Sequence, residues 1–149
     1  MPTVEYRIEI NRPLIEVFRM ATDYDNLSDW QPDTTAVNMI SADPIRPGTM
    51  LTIERRFMGR RTVVNVDIVD FQRNKLVEWR GAHGGFRYHR VTEFSSGGGS
   101  TVIVDKLNVN VGWIRFWYAP FVSAALKSQV SKEWENLKQR LESGAGMRG

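Results

Sequence analysis

Alternating apolar and charged residues near the N-terminus predict the first strand. A period of two is typical of a strand with one buried face. Helical spacing then predicts two short helices. The first has Asn11 as its N-cap and Pro13 in its first turn. The second is capped by Asp23 and ends at Pro32. The apolar positions of the strand are Val4, Tyr6, Ile8 and Ile10.

Six further strands are predicted after the second helix, where the alternation returns. Three of the breaks between them, Gly59-Arg60, Arg73-Asn74 and Gly84-Gly85, carry the Gly or Asn that tight hairpins need. Because short turns join antiparallel neighbours, the pattern predicts an antiparallel meander. The approximate strand ranges are 34–43, 49–58, 61–72, 75–83, 86–94 and 101–111.

An apolar stripe with helical spacing predicts a long last helix over residues 119–142. Around the helix axis its five apolar residues fall within about 80° of one another, and polar residues occupy the far side. Such a helix is long enough to cross a small domain, so we expect it to lie over the apolar face of the sheet. The stripe consists of Leu126, Val130, Trp134, Leu137 and Leu141.

Pairing the strands around their turns predicts which residues share a face of the sheet, because opposed residues of an antiparallel pair lie on the same side. The predicted opposed pairs are Ile53–Val66, Ile68–Trp79, Trp79–Arg90, Val77–Thr92 and Arg90–Asp105. One face of five strands is then almost entirely apolar. It collects Leu51, Ile53, Phe57, Val64, Val66, Ile68, Val77, Trp79, Phe86, Tyr88, Phe94, Ile103, Leu107, Val109 and Val111.

Four charged residues interrupt this apolar face. Arg90 and Asp105 are predicted to pair, since a buried charge costs far less with a partner than alone. Either the pair is a structural contact that fixes strand register, or it orients the polar end of a ligand. Arg55 is either a pocket residue or one whose head reaches the rim. Asp70, beside a turn, is expected at an exposed strand end.

Composition and charge exclude several classes of function. A chain of 149 residues fits one domain, and 42% hydrophobic with 25% charged residues is ordinary for globular proteins. The absence of cysteine excludes disulfides, thiolate metal sites and cysteine catalysis, and favours a cytoplasmic location. The net charge of +3 is dispersed, so no nucleic-acid partner is expected. No apolar run approaches membrane-spanning length and no signal peptide is recognisable, so no stable membrane insertion is expected.

Candidate catalytic chemistry is sparse. His83 adjoins a hairpin tip and His89 points to the polar face, and neither a metal nor another cofactor is expected. Phosphate-binding, dinucleotide and nucleophile motifs are absent. An aromatic cluster before the last helix either packs the connection, rims a pocket entrance, or forms a dimer contact or a membrane-touching edge. It consists of Trp113, Phe116, Trp117, Tyr118 and Phe121.

Three segments carry a family resemblance. They are INRPLIEVFRMATDYDNLSDWQPDTTAV at residues 10–37, FQRNKLVEWR at 71–80 and WENLKQRLE at 134–142. They are similar to the opening, a central hairpin and the C-terminal helix of the START/Bet v1-like (SRPBCC) superfamily. Within it, the chain resembles the polyketide cyclase/dehydrase and coenzyme Q-binding-like proteins.

The resemblance implies an α+β helix-grip fold: a seven-stranded antiparallel sheet wrapped around a long C-terminal helix, with two short helices between strands 1 and 2. Residues 1–143 would form one ligand-binding domain, followed by a flexible tail over 144–149. A cavity is implied between the sheet and the last helix. The predicted ligand-binding residues are Trp30, Arg55, Trp79, Tyr88, Arg90, Asp105, Leu107, Phe121, Leu126 and Val130.

Three functions fit this picture, because the fold hosts many activities. The leading prediction is binding or transport of a small hydrophobic or amphipathic ligand, such as a lipid, quinone or polyketide, by a monomer or homodimer. The alternative is an aromatase/cyclase-type enzyme in which Arg90, Asp105 or Tyr88 assists proton transfer. The third is an interaction module, such as a quinone-linked chaperone or ribosome-associated regulator, that uses the exposed aromatic cluster.

Overall fold

The computed structural model describes residues 3–41, 44–57, 59–110 and 115–144. The described strands form one seven-stranded antiparallel sheet in the order β1-β7-β6-β5-β4-β3-β2, and the long C-terminal helix α2 lies across it. The predicted element order and fold class are confirmed. The elements are β1 (Thr3–Ile10), α1 (Leu14–Ala21), a short 3-10 helix (Tyr24–Asp29), β2 (Thr34–Met39), β3 (Met50–Phe57), β4 (Arg60–Gln72), β5 (Leu76–His83), β6 (Phe86–Ser96), β7 (Thr101–Asn110) and α2 (Arg115–Glu142).

Helix α2 grips the sheet through the predicted stripe. All five stripe residues are buried, and Leu137 is fully enclosed. The helix begins at Arg115, four residues before the predicted start, and its 28 residues span about 42 Å. Its C-terminal end is attached to the opposite end of the chain, because the Asn11 backbone N–H donates to Glu142 Oε2 at 2.8 Å.

Helix α1 starts differently from the prediction. Pro13, not Asn11, is the N-cap, and its extended ψ of 146° turns the chain into the helix without a side-chain cap. Asp23 does precede the 3-10 helix, but its Oδ2 accepts from Asn26 Nδ2 at 2.8 Å rather than from a backbone N–H. Both short helices nevertheless direct apolar side chains into the core. The buried ones are Val17, Phe18, Ala21 and Leu27.

The register of β5–β6 agrees with the prediction, that of β4–β5 agrees as far as the Ile68–Trp79 pair, and the registers on either side are shifted by two residues. A bulge between Ile68 and Asp70 places Asp70 opposite Glu78 on the polar face, so its predicted position on the apolar face was wrong. Trp79 lies between Ile68 and Arg90 as expected. The β3–β4 hairpin pairs Phe57 with Arg60, so Ile53 lies opposite Val64 rather than Val66. A shift of two residues leaves every side chain on its predicted face, because the side-chain period of a strand is two.

The β6–β7 hairpin is also tighter than predicted. Ser96 pairs with Thr101, which leaves a loop of four residues where the sequence had suggested six. Arg90 therefore lies opposite Leu107, and Asp105 lies opposite Thr92. The prediction that Arg90 and Asp105 are directly opposed was wrong, but both remain on the inner face as diagonal neighbours.

Arg90 and Asp105 form the predicted ion pair across that diagonal. Arg90 Nε donates to Asp105 Oδ1 at 2.9 Å and to Oδ2 at 3.1 Å, and Nη2 also donates to Oδ2. Thr92 Oγ1 donates to Oδ1 at 3.0 Å, and Trp134 Nε1 on α2 donates to Oδ2 at 2.7 Å. The carboxylate of β7 thus binds β6 and α2 at once.

Within the described ranges, no helix is both long and apolar enough to cross a lipid bilayer. Residues 145–149 of the predicted flexible tail lie outside the described residues. So do Val111 at the end of the last predicted strand and Trp113 of the aromatic cluster.

We expect Arg90→Leu to destabilise the protein by about 3–5 kcal/mol, because it leaves a buried carboxylate without its counter-charge. Urea denaturation measures the loss. The control is Arg87→Leu, which changes an exposed arginine on the same strand and should alter the free energy of unfolding by less than about 0.5 kcal/mol. Equal effects of the two substitutions would contradict the structural importance of the pair.

Candidate functional site

Two small cavities lie on the inner face of the sheet, the first beneath the 3-10 helix and the edge of α2 at Trp134, and the second beneath α2 at Leu126 and Gln129. Their volumes are ≈ 50 and ≈ 40 Å³. Four side chains line both of them: Ile53, Arg55, Trp79 and Arg90. One cavity extends toward the 3-10 helix and the other toward the middle of α2. Each cavity can hold a few water molecules at most, since one water molecule needs roughly 10–15 Å³ of such cavity volume.

The position of the Trp79 ring at the cavities depends on Gly81, which lies two residues further along the same strand. A Cβ at Gly81 would come within 2.7 Å of the Trp79 ring and 2.8 Å of the Val64 side chain. Both distances are shorter than van der Waals contact, so a larger residue would displace the ring. Gly81 therefore sets the position of the Trp79 ring, which lines both cavities.

A second ion pair, Arg55–Glu133, lies beside the first. Arg55 Nη2 donates to Glu133 Oε2 and so joins β3 to α2. The Glu133 side chain is 1% exposed and that of Arg55 is 15% exposed. Arg55 was predicted to be either a pocket residue or one that reaches the rim. It lines both cavities, and its head is held inward by Glu133.

Glu133 was not predicted as a site residue, although its spacing along the helix indicates that it faces the sheet. It follows Val130 by three residues and precedes Leu137 by four, so it lies within the apolar stripe of α2. Burial raises the pKa of Glu133 above the ordinary glutamate value, and the positive charges of Arg55 and Arg90 only partly offset that effect. Asp33 and Asp105 raise the pKa further by repulsion.

The two ion pairs differ in how completely they are hydrogen-bonded. Both oxygens of Asp105 accept hydrogen bonds, and its charge and hydrogen bonds raise the pKa of Arg90 even though burial alone would lower it. Among the described residues, Glu133 Oε1 and Arg55 Nε are buried without a partner, and so is Trp30 Nε1. Each unmade bond costs about 1–3 kcal/mol.

Most of the predicted site residues come together at the cavities. Asp105 and Val130 are buried nearby without lining either cavity, and Phe121 is 66% exposed and lines neither. The side chains of Phe116, Trp117 and Tyr118 lie outside the described part of the chain. The predicted residues that line a cavity are Trp30, Arg55, Trp79, Tyr88, Arg90, Leu107 and Leu126.

Neither histidine belongs to the cavities. His83 Nδ1 is 3.0 Å from the Val63 carbonyl oxygen, and His89 Nε2 is 2.6 Å from Glu78 Oε2. Over the described residues, no three His, Asp or Glu side chains are grouped as metal ligands. The polar side chains that line the cavities are therefore two arginines, two glutamine amides, indole N–H groups and hydroxyls, and the carboxylates of Asp105 and Glu133 are paired with the two arginines.

Solved structures with the same fold are similar along almost the whole chain. A START superfamily protein from Mycobacterium smegmatis superposes with a TM-score of 0.81 at 16% identity, over 95% of this chain and 97% of that one. Ara h 8.0201 gives 0.76 at 14% identity, over 95% and 97%. The Zhui aromatase/cyclase from Streptomyces sp. R1128 gives 0.76 at 11% identity, over 96% and 94%.

A family model extends the likeness from fold to sequence. A search of curated protein sequences found no match. The model described as "Polyketide cyclase / dehydrase and lipid transport" matches residues 1–142, which include every described strand and helix. The chain therefore belongs to the polyketide cyclase/dehydrase and lipid-transport family.

Proposed function

We propose that the protein binds or transports a small hydrophobic or amphipathic ligand in the space between the sheet and α2. The observation that carries this proposal is the set of polar atoms beside the cavities that lack partners, Trp30 Nε1 and Arg55 Nε above all. Buried polar groups in proteins are nearly always hydrogen-bonded, so exceptions need a physical reason. A bound ligand that accepts these hydrogen bonds would supply one.

The cavity walls suit a ligand that is mainly apolar. Ile53 and Val77 lie on the sheet side, and Leu126 covers the second cavity from the helix. Apolar walls with a few fixed polar groups are usual for small-molecule sites. Since Trp79 and Arg55 border both cavities, an outward movement of these two side chains would merge the cavities into one space for a larger ligand.

An aromatase/cyclase-type activity is the second candidate, and Glu133 is the observation that favours it. Both oxygens of Asp105 already accept hydrogen bonds within the protein, because Arg90, Thr92 and Trp134 all donate to them. Glu133 has a free Oε1, and its raised pKa brings it closer to the range in which a carboxyl exchanges protons near neutral pH. Arg55, which Glu133 contacts, could stabilise charge that develops on a carbonyl oxygen.

Filling the second cavity should weaken ligand binding. Val64 lines that cavity, whereas its neighbour Val63 points to the outer face and is exposed. We expect Val64→Phe to reduce the affinity for N-phenyl-1-naphthylamine, a neutral fluorescent probe, by about 10-fold, since overpacking costs about 1–3 kcal/mol. The matched Val63→Phe should bind like the wild type. Equal affinity of all three proteins would place the probe elsewhere.

The proton-transfer alternative predicts a specific pH dependence. The raised pKa means that the folded chain holds the Glu133 proton to a higher pH than the unfolded chain. The free energy of unfolding of the wild type, relative to Glu133→Gln, should therefore fall as pH rises above the ordinary glutamate pKa of about 4.3. Denaturation at a series of pH values measures the difference, with the exposed Glu135→Gln as control.

A difference that instead grows with rising pH would show that the contact with Arg55 dominates. Glu133 would then be ionised throughout the working range and unsuited to proton transfer, and the enzymatic alternative would lose its candidate base.

A further inference from the structure

The buried charges around the two cavities form two ion pairs, each of one arginine and one carboxylate. Arg90 is neutralised by Asp105, and Arg55 is neutralised by Glu133 at pH values where the Glu133 carboxyl is ionised. The half-buried Asp33 adds a repulsive negative charge at Glu133, and its Oδ2 accepts a 3.3 Å hydrogen bond from Gln129. Among the described residues that line the cavities, the charged ones are Arg55 and Arg90, and with both of them paired the site has no surplus positive charge to receive an anion.

An anionic ligand would be disfavoured at such a site. Bringing a carboxylate or phosphate next to Glu133 would bury a charge without a counter-ion, which is far more costly than burying a neutral polar group. A neutral group avoids that cost. The overall positive charge of the protein does not change this argument, because it is spread over the surface.

The hydrogen-bonding groups left free beside the cavity are mainly donors. Trp30 and Arg55 both line the first cavity, and the free atoms are Nε1–H of one and Nε–H of the other. A carbonyl oxygen has two lone pairs and no proton, so it can accept a hydrogen bond from either donor without needing an acceptor for a proton of its own. An alcohol oxygen could accept as well, but its own proton would then need the remaining acceptor, Glu133 Oε1.

We propose that the polar end of the ligand is a neutral carbonyl group, such as a ketone, and that carboxylates of the same size are rejected. This inference rests on the proposed binding function and specifies which ligands that function serves. The balanced ion pairs exclude the anion, and the two free donors select the carbonyl oxygen.

The test compares acetophenone with benzoate, which have equal numbers of non-hydrogen atoms and differ in charge. NMR titration of the full-length, ¹⁵N-labelled protein near neutral pH follows the indole N–H signals, and Trp30→Phe identifies the signal of Trp30. We expect acetophenone to bind at least about 10-fold more tightly than benzoate, because benzoate brings an uncompensated charge. The Trp30 signal should move downfield as its N–H gains an acceptor.

Changing the charge balance should change the preference. Glu133→Gln leaves Arg55 without its counter-charge, so benzoate should gain about 10-fold in affinity while acetophenone changes by less than about 3-fold. The control Glu135→Gln alters an exposed glutamate on the same helix and should leave both affinities unchanged. The double variant Arg55→Gln/Glu133→Gln is neutral again and should restore the preference against benzoate.

The outcomes separate this inference from the proposed function. If benzoate binds to the wild type as tightly as acetophenone and moves the Trp30 signal, the inference is overturned while the binding function stands. If neither compound moves the signals of cavity residues, both are contradicted. Because the comparison in the wild type decides the matter, the test does not depend on whether the Glu133 variant folds.

Discussion

The pairing of Arg90 with Asp105 is the contact on which the rest of the interior depends. Neither charge could be buried alone at a tolerable cost, and together they are acceptable only because Thr92 and Trp134 complete the hydrogen bonding of the carboxylate. The same carboxylate joins β6, β7 and α2. The position of the helix over the sheet is thus fixed by a polar contact as well as by its apolar stripe, and the cavities lie beside that contact.

The two ion pairs differ in how completely they are hydrogen-bonded, and this difference indicates a structural role for one and a ligand-binding role for the other. Asp105 uses both of its oxygens within the protein, and this favours a structural role for the first pair. Arg55–Glu133 leaves one atom free on each side, beside a tryptophan that also lacks an acceptor. A protein core selected for stability alone would be expected to close such gaps. This incomplete pair therefore supports the proposed ligand site more directly than Arg90 does.

Much of the fold could be predicted from the sequence, because the spacing of apolar residues still identifies strands, helices and their buried faces when a strand register is wrong by two residues. The register errors in β3–β4 and β6–β7 were both shifts of two, so these strands kept their predicted inner face although Arg90 did not face Asp105 directly. The bulge before Asp70 has no such signal in the alternation, and Asp70 lies on the outer face instead. Site residues were harder to predict. Glu133 was overlooked because its partner Arg55 lies 78 residues away on a different element. Phe121 was expected in the site, but helical phase turns it toward solvent.

The most direct test of a ligand site beside the incomplete pair is a crystal structure of the protein soaked with 4-bromoacetophenone, located by the anomalous signal of bromine. We expect one strong bromine peak between the sheet and α2, with the carbonyl oxygen within roughly 3.2 Å of Trp30 Nε1 or Arg55 Nε. Bromine found only on the outer surface, with the space beside Trp79 still closed, would contradict this expectation.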